Sequence, residues 1–306
     1  MNFSVTEIQS YERCRRMATY QSRNARALTP VFSPLHLSVG TIFHRATQLW
    51  IENPAIDLNH HALEASCEVQ EAAVTAYTKN VGVPPSSIEL LTLHEAVDMA
   101  LSMAANYHTK YKVPLPPEYT LVSAEQKIAV PVPGTPHHLT GRLDALIRHH
   151  TGRLDVLERK TYKSRPNLAG LQTNFQFLAY MWLLQQLNLT DMTPAVAYDG
   201  AWRRTEPPKG RSFDDLFLRV IITRSQNELD EFGAYLPQLV TEMYDLYTHP
   251  EKAFPNRQWR GCFDCNYNDL CMAQSRGEVE NFNALIASKY TIRPADEELI
   301  EEEEAA

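Results

Sequence analysis

The spacing of apolar residues divides the chain into a helical first part and a mixed second part. Apolar residues recur every three to four positions before residue 113, which predicts helices over residues 4–23, about 36–51, 62–79 and 88–112. Short alternating runs then predict three consecutive strands over 121–132, 137–149 and 152–162. A helix, two strands and a long helix follow over about 168–187, 195–204, 216–224 and 226–247. We therefore predict an α/β chain with a mixed central sheet flanked by helices.

Composition supports one sizeable core and leaves the question of a nucleic-acid partner open. The chain has 306 residues, of which 44% are hydrophobic, and its formal net charge is −8. Seven acids fall in the last twelve residues, ADEELIEEEEAA, so the remainder is close to neutral. Runs of like charge repel and rarely fold, so we expect residues 291–306 to form a disordered, acidic tail. A near-neutral remainder can still bind nucleic acid through a local basic groove.

The cysteines point to metal chemistry more than to disulfides. No run of about 18 apolar residues predicts a membrane span, and the start MNFSVTEIQSYERC lacks a basic-then-apolar leader. Export is therefore not expected, and five cysteines in such a chain do not indicate a disulfide framework. Three of them crowd into RGCFDCNYNDLC as C-x2-C-x5-C, a spacing typical of metal or cluster ligands.

Two adjacent predicted strands carry a candidate hydrolytic site. Asp144 lies in GRLDAL, and Glu158 and Lys160 lie in LERK. Alternate strand residues share a face, so Glu158 and Lys160 point the same way, and a short hairpin can bring Asp144 beside them. Two converging carboxylates suit Mg²⁺ or Mn²⁺, and a lysine there can orient a water. Taken alone, the same residues could form an ordinary salt-bridged strand face.

The surrounding residues resemble a known nuclease family. GRLDALI and LDVLERKTYK resemble the G-x-x-D and (D/E)-x-K-T strands of the RecB-like branch of the PD-(D/E)XK nuclease superfamily. GTIFHRA resembles its G-x-x-x-H helix, and QFLAY resembles its Q-x-x-x-Y helix. The resemblance implies the restriction-endonuclease-like core and a divalent metal site formed by His44, Asp144 and Glu158, with Lys160 as the further catalytic residue. It also implies that Gln176 and Tyr180 face the substrate strand, and Lys163 and Arg165 are candidates for phosphate contacts.

One subgroup of that branch suggests a fourth cysteine ligand. This subgroup, which includes the nuclease of CRISPR adaptation, the AddB nuclease domain and related virus-encoded exonucleases, carries an iron–sulfur cluster. Its pattern implies that a 4Fe–4S cluster would be bound by Cys14, Cys262, Cys265 and Cys271. A structural zinc is the alternative, although zinc ribbons usually show two C-x2-C pairs and this chain has one. Cys67 has no partner motif, so we expect an ordinary thiol there.

The function implied is a metal-dependent DNA nuclease, in the first place an exonuclease acting on single strands or DNA ends in replication, recombination or repair. The alternatives are a non-catalytic DNA-binding or assembly subunit that keeps the fold, and an RNA nuclease. No Walker motif is present, so a helicase motor would come from a partner. We expect a cytoplasmic protein, or one in the host cytoplasm or nucleoid if virus-encoded, with no membrane partner.

The domain prediction is a single nuclease domain over residues 1–290 with a helical insertion at about 51–118. The insertion could be an arch over the cleft or structural padding. Three histidine pairs outside the motifs are predicted to lie at the surface, namely His60 and His61, His137 and His138, and His149 and His150.

Overall fold

The elements are taken from a computed structural model, which describes residues 1–31, 35–189, 191–257, 259–263 and 265–293. In this part of the chain the helices are α1 (Val5–Arg13), α2 (Arg15–Gln21), α3 (Leu35–Glu52), α4 (Leu58–Val81), α5 (Ser87–Tyr111), α6 (Leu168–Gln172), α7 (Phe175–Gln186), α8 (Gln226–Thr248), α9 (Trp259–Phe263), α10 (Asn268–Arg276) and α11 (Val279–Lys289). The strands are β1 (Asn2–Ser4), β2 (Leu28–Pro30), β3 (Tyr119–Pro131), β4 (His138–His149), β5 (Leu154–Tyr162), β6 (Val196–Trp202), β7 (Phe217–Ile222) and β8 (Tyr290–Ile292). Helix α8 carries Pro237 in its interior.

The chain divides into two compact units. The larger, here called the sheet unit, comprises Ser33–Pro133 and His138–Leu236. The smaller, here called the terminal unit, comprises Met1–Phe32, Gly134–His137 and Pro237–Ala306. The predicted acidic tail at 291–306 falls almost wholly outside the described residues, so the boundary near residue 290 stays a prediction. No helix among the described residues is long and apolar enough to cross a membrane.

A mixed sheet forms the centre of the sheet unit. Strand β3 pairs antiparallel with β4, and β4 pairs antiparallel with β5. Strand β6 then pairs parallel with β5, and β7 pairs antiparallel with β6. The parallel pair needs a crossover, which α6 and α7 supply between β5 and β6. The predicted fold class, a mixed sheet flanked by helices, is confirmed.

Helices α3, α4 and α5 bury one apolar cluster in the sheet unit, so the predicted insertion shares its core with the motif helix α3. Phe43 and Trp50 on α3 pack edge-to-face with Tyr107 on α5. Tyr107 also donates a hydrogen bond to the buried Asp199 on β6. Arg219 on β7 completes this network, with its Nη2 2.7 Å from Asp199 Oδ2. These buried hydrogen bonds connect α5 to β6 and β7.

The terminal unit joins the two ends of the chain. Strands β2 and β8 pair antiparallel from Leu28 opposite Ile292 to Pro30 opposite Tyr290. The Tyr267 hydroxyl donates to the Leu28 carbonyl at 2.7 Å, and its ring stacks on Tyr290 with centroids 5.4 Å apart. The two ends of the chain therefore pack in one small core.

The first predicted helix is two helices. Residues 4–23 were expected to form one helix, but Cys14 is extended, with φ −164° and ψ 112°, and separates α1 from α2. The expected helix over 168–187 is likewise broken, because Asn174 is extended and its side chain accepts the Gln176 N–H at 2.8 Å as the N-cap of α7. Asparagine favours such caps over helix interiors, since its amide competes for backbone donors.

Candidate active site

The β4–β5 hairpin places Asp144 beside Glu158. Ala145 pairs with Leu157, so the next residues outward along the two strands are Asp144 and Glu158. The carboxylate of Asp144 leans across to β5, where its Oδ2 accepts the backbone N–H of Arg159 at 2.7 Å. That hydrogen bond holds the Asp144 carboxylate at the level of Glu158.

Glu158 is a buried carboxylate with few partners. It is 1% exposed, and Lys160 Nζ lies 2.5 Å from its Oε1. Apart from this ion pair, neither carboxylate oxygen has a hydrogen-bond partner among the described residues. Burial raises the pKa of Glu158 to about 8, and the nearby Asp144 adds to the effect against the opposing charge of Lys160. A buried acid left in this state is typical of a site that receives a cation.

Lys160 keeps its proton in this setting. Burial works to lower its pKa, but the Glu158 and Asp144 carboxylates outweigh that effect, so the net pKa lies above the ordinary value. An ammonium group at neutral pH donates hydrogen bonds and cannot accept a proton. The geometry therefore suits Lys160 to orienting a water or a phosphate oxygen.

Helix α3 brings His44 to the same point. Its Nδ1 is 3.5 Å from Asp144 Oδ2. Burial lowers the pKa of His44, with Lys160 and Arg159 contributing and Asp144 opposing, which favours the neutral imidazole that binds metals. One turn earlier, a Cβ at Gly40 would lie 3.4 Å from Thr161 Oγ1, so the glycine lets α3 approach β5 closely.

Glu125 is a carboxylate that the sequence analysis missed. It lies on β3 between residues that pair with Ala145 and Leu143, which sets it opposite Asp144. Its φ is +49°, in the left-handed region that non-glycine residues rarely adopt. Burial raises the pKa of Glu125, and the facing Asp144 raises it further. Like charges directly opposite each other across strands are unfavourable unless a cation lies between them.

A cavity of about 520 Å³ opens next to these groups. Its size falls in the range of small-ligand sites, about 300–1,000 Å³. Two carboxylates and two arginines are among its lining residues, which are Gly40, Thr41, His44, Arg45, Gln48, Glu125, Asp144, Thr161 and Arg203. Burial lowers the pKa of Arg203, whereas Arg45 is held by Glu68 through two hydrogen bonds of 2.8 and 3.2 Å. A phosphate in the cavity would meet the guanidinium of Arg203.

Helix α7 places Gln176 and Tyr180 on one face, as four-residue spacing requires. Gln176 Nε2 donates to the Tyr180 hydroxyl at 2.8 Å, and that hydroxyl donates to the Arg142 carbonyl at 2.9 Å. Tyr180 is only 4% exposed. In this conformation the pair fixes the β4 backbone two residues before Asp144, and the ring of Tyr180 is not open to a stacked base.

The glycine of the GRLD motif has a packing role. A Cβ at Gly141 would lie 2.9 Å from Leu183 Cδ1 and 3.1 Å from Tyr180 Cε1. A larger residue at this position would therefore require Leu183, Tyr180 or helix α7 to shift. This contact sets the distance between the Q-x-x-x-Y helix and the strand of Asp144.

The two loop cations predicted to contact phosphate differ in their surroundings. Lys163 is exposed, and its carbonyl accepts the Trp202 indole N–H at 2.8 Å. Arg165 Nη1 is 2.6 Å from Asp215 Oδ1, so it would have to leave that carboxylate to reach a phosphate.

The four cysteines of the predicted cluster line one cavity of about 80 Å³ in the terminal unit. The backbone N–H of Asn256 points at Cys14 Sγ from 3.4 Å, and Arg16 Nη1 lies 3.9 Å from Cys271 Sγ. Burial raises the pKa of Cys265. Within the described ranges, however, no three His, Cys, Asp or Glu side chains are close enough together to hold a metal ion. The thiols and their N–H donors fit a cluster in kind, and Cys67 is exposed on α4.

Comparisons with known proteins identify the superfamily to which the chain belongs. No curated protein matches the chain. A solved structure titled "Crystal structure of SSO0001" is 17% identical, and the alignment covers 89% of this chain and 86% of that one. Its TM-score of 0.37 is too low to carry an argument about fold or function. The family model of the PD-(D/E)XK nuclease superfamily matches residues 2–272, nearly the whole chain, and the chain belongs to that superfamily.

Proposed function

We propose that the protein is a DNA exonuclease of the RecB-like branch and that it uses Mg²⁺ or Mn²⁺. The observation that carries the proposal is the buried Glu158 carboxylate, which has no partner among the described residues apart from its ion pair with Lys160 and lies near Asp144. His44, Asp144 and Glu158 would hold the ion, with the carbonyl next to Glu158 as a further oxygen donor. Bound there, the ion would supply an activated water and neutralise charge on the phosphodiester.

The chain's own residues divide the remaining work. Lys160 orients the attacking water and offsets negative charge, since it stays protonated next to Glu158. Arg203 lines the cavity and contacts a phosphate oxygen of the bound strand. Gln176 and Tyr180 hold the β4 backbone in place. Gln176 is half-buried and can still contact the bound DNA strand. Lys163 and, after release from Asp215, Arg165 add phosphate contacts on the loop after β5.

The proposal also includes an iron–sulfur cluster in the terminal unit. We infer that Cys14, Cys262, Cys265 and Cys271 bind a 4Fe–4S cluster, because all four line one cavity and two N–H groups face their sulfurs. N–H donors to sulfur are a usual means of tuning such clusters. A single zinc is the alternative occupant. The cluster would link the ends of the chain and take no part in cleavage.

A cleavage assay tests the catalytic proposal. Anaerobically purified protein would be stripped with chelator and given Mn²⁺ or Mg²⁺ with linear single-stranded, linear duplex and circular single-stranded DNA, and with RNA of the same sequence. We expect short products from linear DNA only with metal present, and none from circles. Cleavage of circular DNA would show that the protein is an endonuclease, and preferential cleavage of RNA would show that its substrate is RNA. If none of the four substrates is cleaved, with or without metal, the result would favour a non-catalytic DNA-binding subunit.

The biological setting follows from the same chemistry. We propose a helicase or recombination partner in DNA repair or replication, because these 306 residues contain no Walker motif and a partner could open the DNA ends.

A further inference from the structure

The terminal unit exposes two large aromatic rings close together in the chain. Phe254 is 70% exposed and Phe263 is 81% exposed. Phenylalanine is among the residues most often buried, so two such rings within ten residues stand out from the scattered apolar residues of an ordinary surface. The stretch from 254 to 263 contains arginine and no acid.

Arg13 contacts the chain close to each of the two phenylalanines. Arg13 Nη2 donates to the Gly261 carbonyl at 3.5 Å, and the Arg13 carbonyl accepts Asn256 Nδ2 at 3.1 Å. Phe263 follows Gly261 by two residues in α9, and Phe254 precedes Asn256 by two. Arg13 therefore contacts this segment at Asn256 and at Gly261, each two residues from one of the phenylalanines.

The charges around the rings are positive. Arg257 Cζ lies 5.9 Å from the Phe254 ring centroid, and Arg13 and Arg257 are both exposed. In the part of the chain that the structure describes, neither forms a salt bridge with an acid, whereas the neighbouring Arg15 pairs with Glu242 at 3.6 Å. Arg13 and Arg257 therefore add two exposed positive charges, without an acidic partner among the described residues, to the surroundings of the two exposed phenylalanines in a chain whose net charge is −8.

We propose that this arginine–phenylalanine patch, formed by Arg13, Phe254, Arg257 and Phe263, binds single-stranded DNA. Exposed rings stack on unpaired bases irrespective of sequence, and adjacent arginines neutralise the phosphates between them. A duplex hides its base faces, so it would use only the arginines. The choice of DNA as the ligand rests on the proposed function. The patch would be an additional DNA-binding site on the terminal unit.

Binding measurements with full-length protein test the patch apart from catalysis. In an Asp144→Asn background, fluorescence anisotropy would give Kd for a labelled oligothymidylate and for a duplex of equal length. We expect Phe254→Ala and Phe263→Ala each to weaken single-strand binding by roughly tenfold and to change duplex binding little. Arg257→Ala should reduce the slope of log Kd against log salt by about 0.7. Arg276→Ala and Val279→Ala, at exposed sites on α10 and α11, should change neither.

Rescue separates stacking from a structural role. Phe254→Trp keeps a ring that can stack on a base, so it should bind single-stranded DNA as tightly as the unchanged protein does. If Phe254→Ala lost binding only because it folds poorly, this recovery would not be expected. Melting temperature and iron content should stay the same in each variant. Unchanged single-strand Kd in both alanine variants overturns the patch, as does an equal loss of duplex binding.

Two further results keep this proposal distinct from the nuclease. Light scattering that shows a dimer lost in Phe254→Ala would assign the patch to a second copy of the chain and overturn the DNA site. If the protein without Asp144→Asn fails to cleave DNA but the phenylalanine variants still lose single-strand binding, the patch stands and the nuclease fails.

Discussion

At the residue scale, burial distinguishes Glu158 and its neighbours from an ordinary salt-bridged strand face. A surface pair of Glu158 and Lys160 would be solvated and would contribute little to stability. Glu158 is instead 1% exposed, with its pKa raised to about 8. Asp144 lies near this carboxylate, with Glu125 opposite Asp144 across the β3–β4 pair and His44 Nδ1 3.5 Å from Asp144 Oδ2, although no three such side chains among the described residues are close enough together to hold a metal ion. Removing one partner of such a group, or supplying a metal ion, should have large effects.

Asp144→Asn should abolish cleavage while leaving the fold intact. Asparagine keeps an oxygen that can accept the Arg159 N–H but loses the charge that a divalent ion requires, so we expect turnover to fall by at least about a hundredfold. Nucleotide release with Mn²⁺ and thermal melting would be measured together. Asp98→Asn, at an exposed site on α5, serves as the matched control and should keep full activity. A folded Asp144→Asn protein with ordinary turnover would rule out this site.

Glu158 predicts a pH dependence in both stability and metal binding. Its pKa is raised from 4.5 to about 8 in the folded chain, so without metal its stabilising effect is fully present below about pH 4.5 and is lost as pH rises through about 8. Metal binding must displace that proton, so Mn²⁺ affinity should rise with pH by up to about tenfold per unit below pH 8. Calorimetry in buffers of different ionisation heat would count the proton.

Glu158→Gln is the control for that pH dependence. The amide cannot titrate, so the variant should bind Mn²⁺ weakly and with a flatter pH profile, and its metal-free melting temperature should fall less between pH 5 and 8. If the Mn²⁺ affinity of the unchanged protein does not vary with pH, Glu158 is already ionised before the metal binds. Another group must then stabilise its charge.

Residue-level prediction from sequence reached the motif residues but not Glu125. His44, Asp144, Glu158 and Lys160 come together in space, and each was marked by a short pattern such as G-x-x-D. Glu125 has no such pattern, because an acid in an alternating strand equally predicts a solvent-facing side chain. Its left-handed φ and its register opposite Asp144 are properties of the paired strands.

At the element scale, the packing of α7 on β4 connects the Q-x-x-x-Y helix to the catalytic strand. Gly141→Ala would place a Cβ within 2.9 Å of Leu183 Cδ1. The helix or the side chain must shift, at a cost of about 1–3 kcal/mol, and the Tyr180 hydrogen bond to the Arg142 carbonyl would shift with it. We expect a lower melting temperature and reduced turnover, measured against Gly261→Ala, where an added Cβ meets nothing within 4 Å. Equal melting temperatures in the two variants would contradict this account.

Element types were predictable where the apolar period was long, and element ends were not. Strands β3 to β7 and helices α3, α4, α5 and α8 follow from their patterns, whereas β1 was not predicted. The breaks at Cys14 and Asn174 do not, because the apolar spacing continues across both residues. Two histidines expected at the surface, His61 and His137, are buried at 3% and 6% exposure. His137 contacts Phe3 and stacks on Tyr244, and such ring contacts leave no trace in local sequence.

At the scale of the whole molecule, the grouping of the two chain ends into one unit was visible only through the cysteines. Nothing in the apolar pattern connects α1 with α10, yet the resemblance assigned Cys14 to the same site as three cysteines near the C-terminus. The structure places all four around one cavity. Helices α9, α10 and α11 and strands β2 and β8 had no predicted counterpart, because short elements that depend on a shared core carry weak periodicity of their own.

Cys14→Ser tests whether a cluster staples the terminal unit. Cys14 and Cys262 are 248 positions apart, and closing so long a loop lowers the entropy of the unfolded chain by an amount worth roughly 5 kcal/mol in the simple cross-link model. Anaerobically purified protein should be brown and contain iron. The Cys14→Ser variant should lose the colour and should melt at a lower temperature. Cys67→Ser removes an exposed thiol on α4 and should change neither. One zinc and no iron in the unchanged protein would show that the site binds zinc in place of the cluster, and full metal content in Cys14→Ser would show that Cys14 is not a ligand.

The cavity that contains His44 and Asp144 belongs to the sheet unit. Cys14→Ser should therefore retain measurable Mn²⁺-dependent cleavage below its lowered melting temperature, whereas Asp144→Asn should keep its iron and lose cleavage.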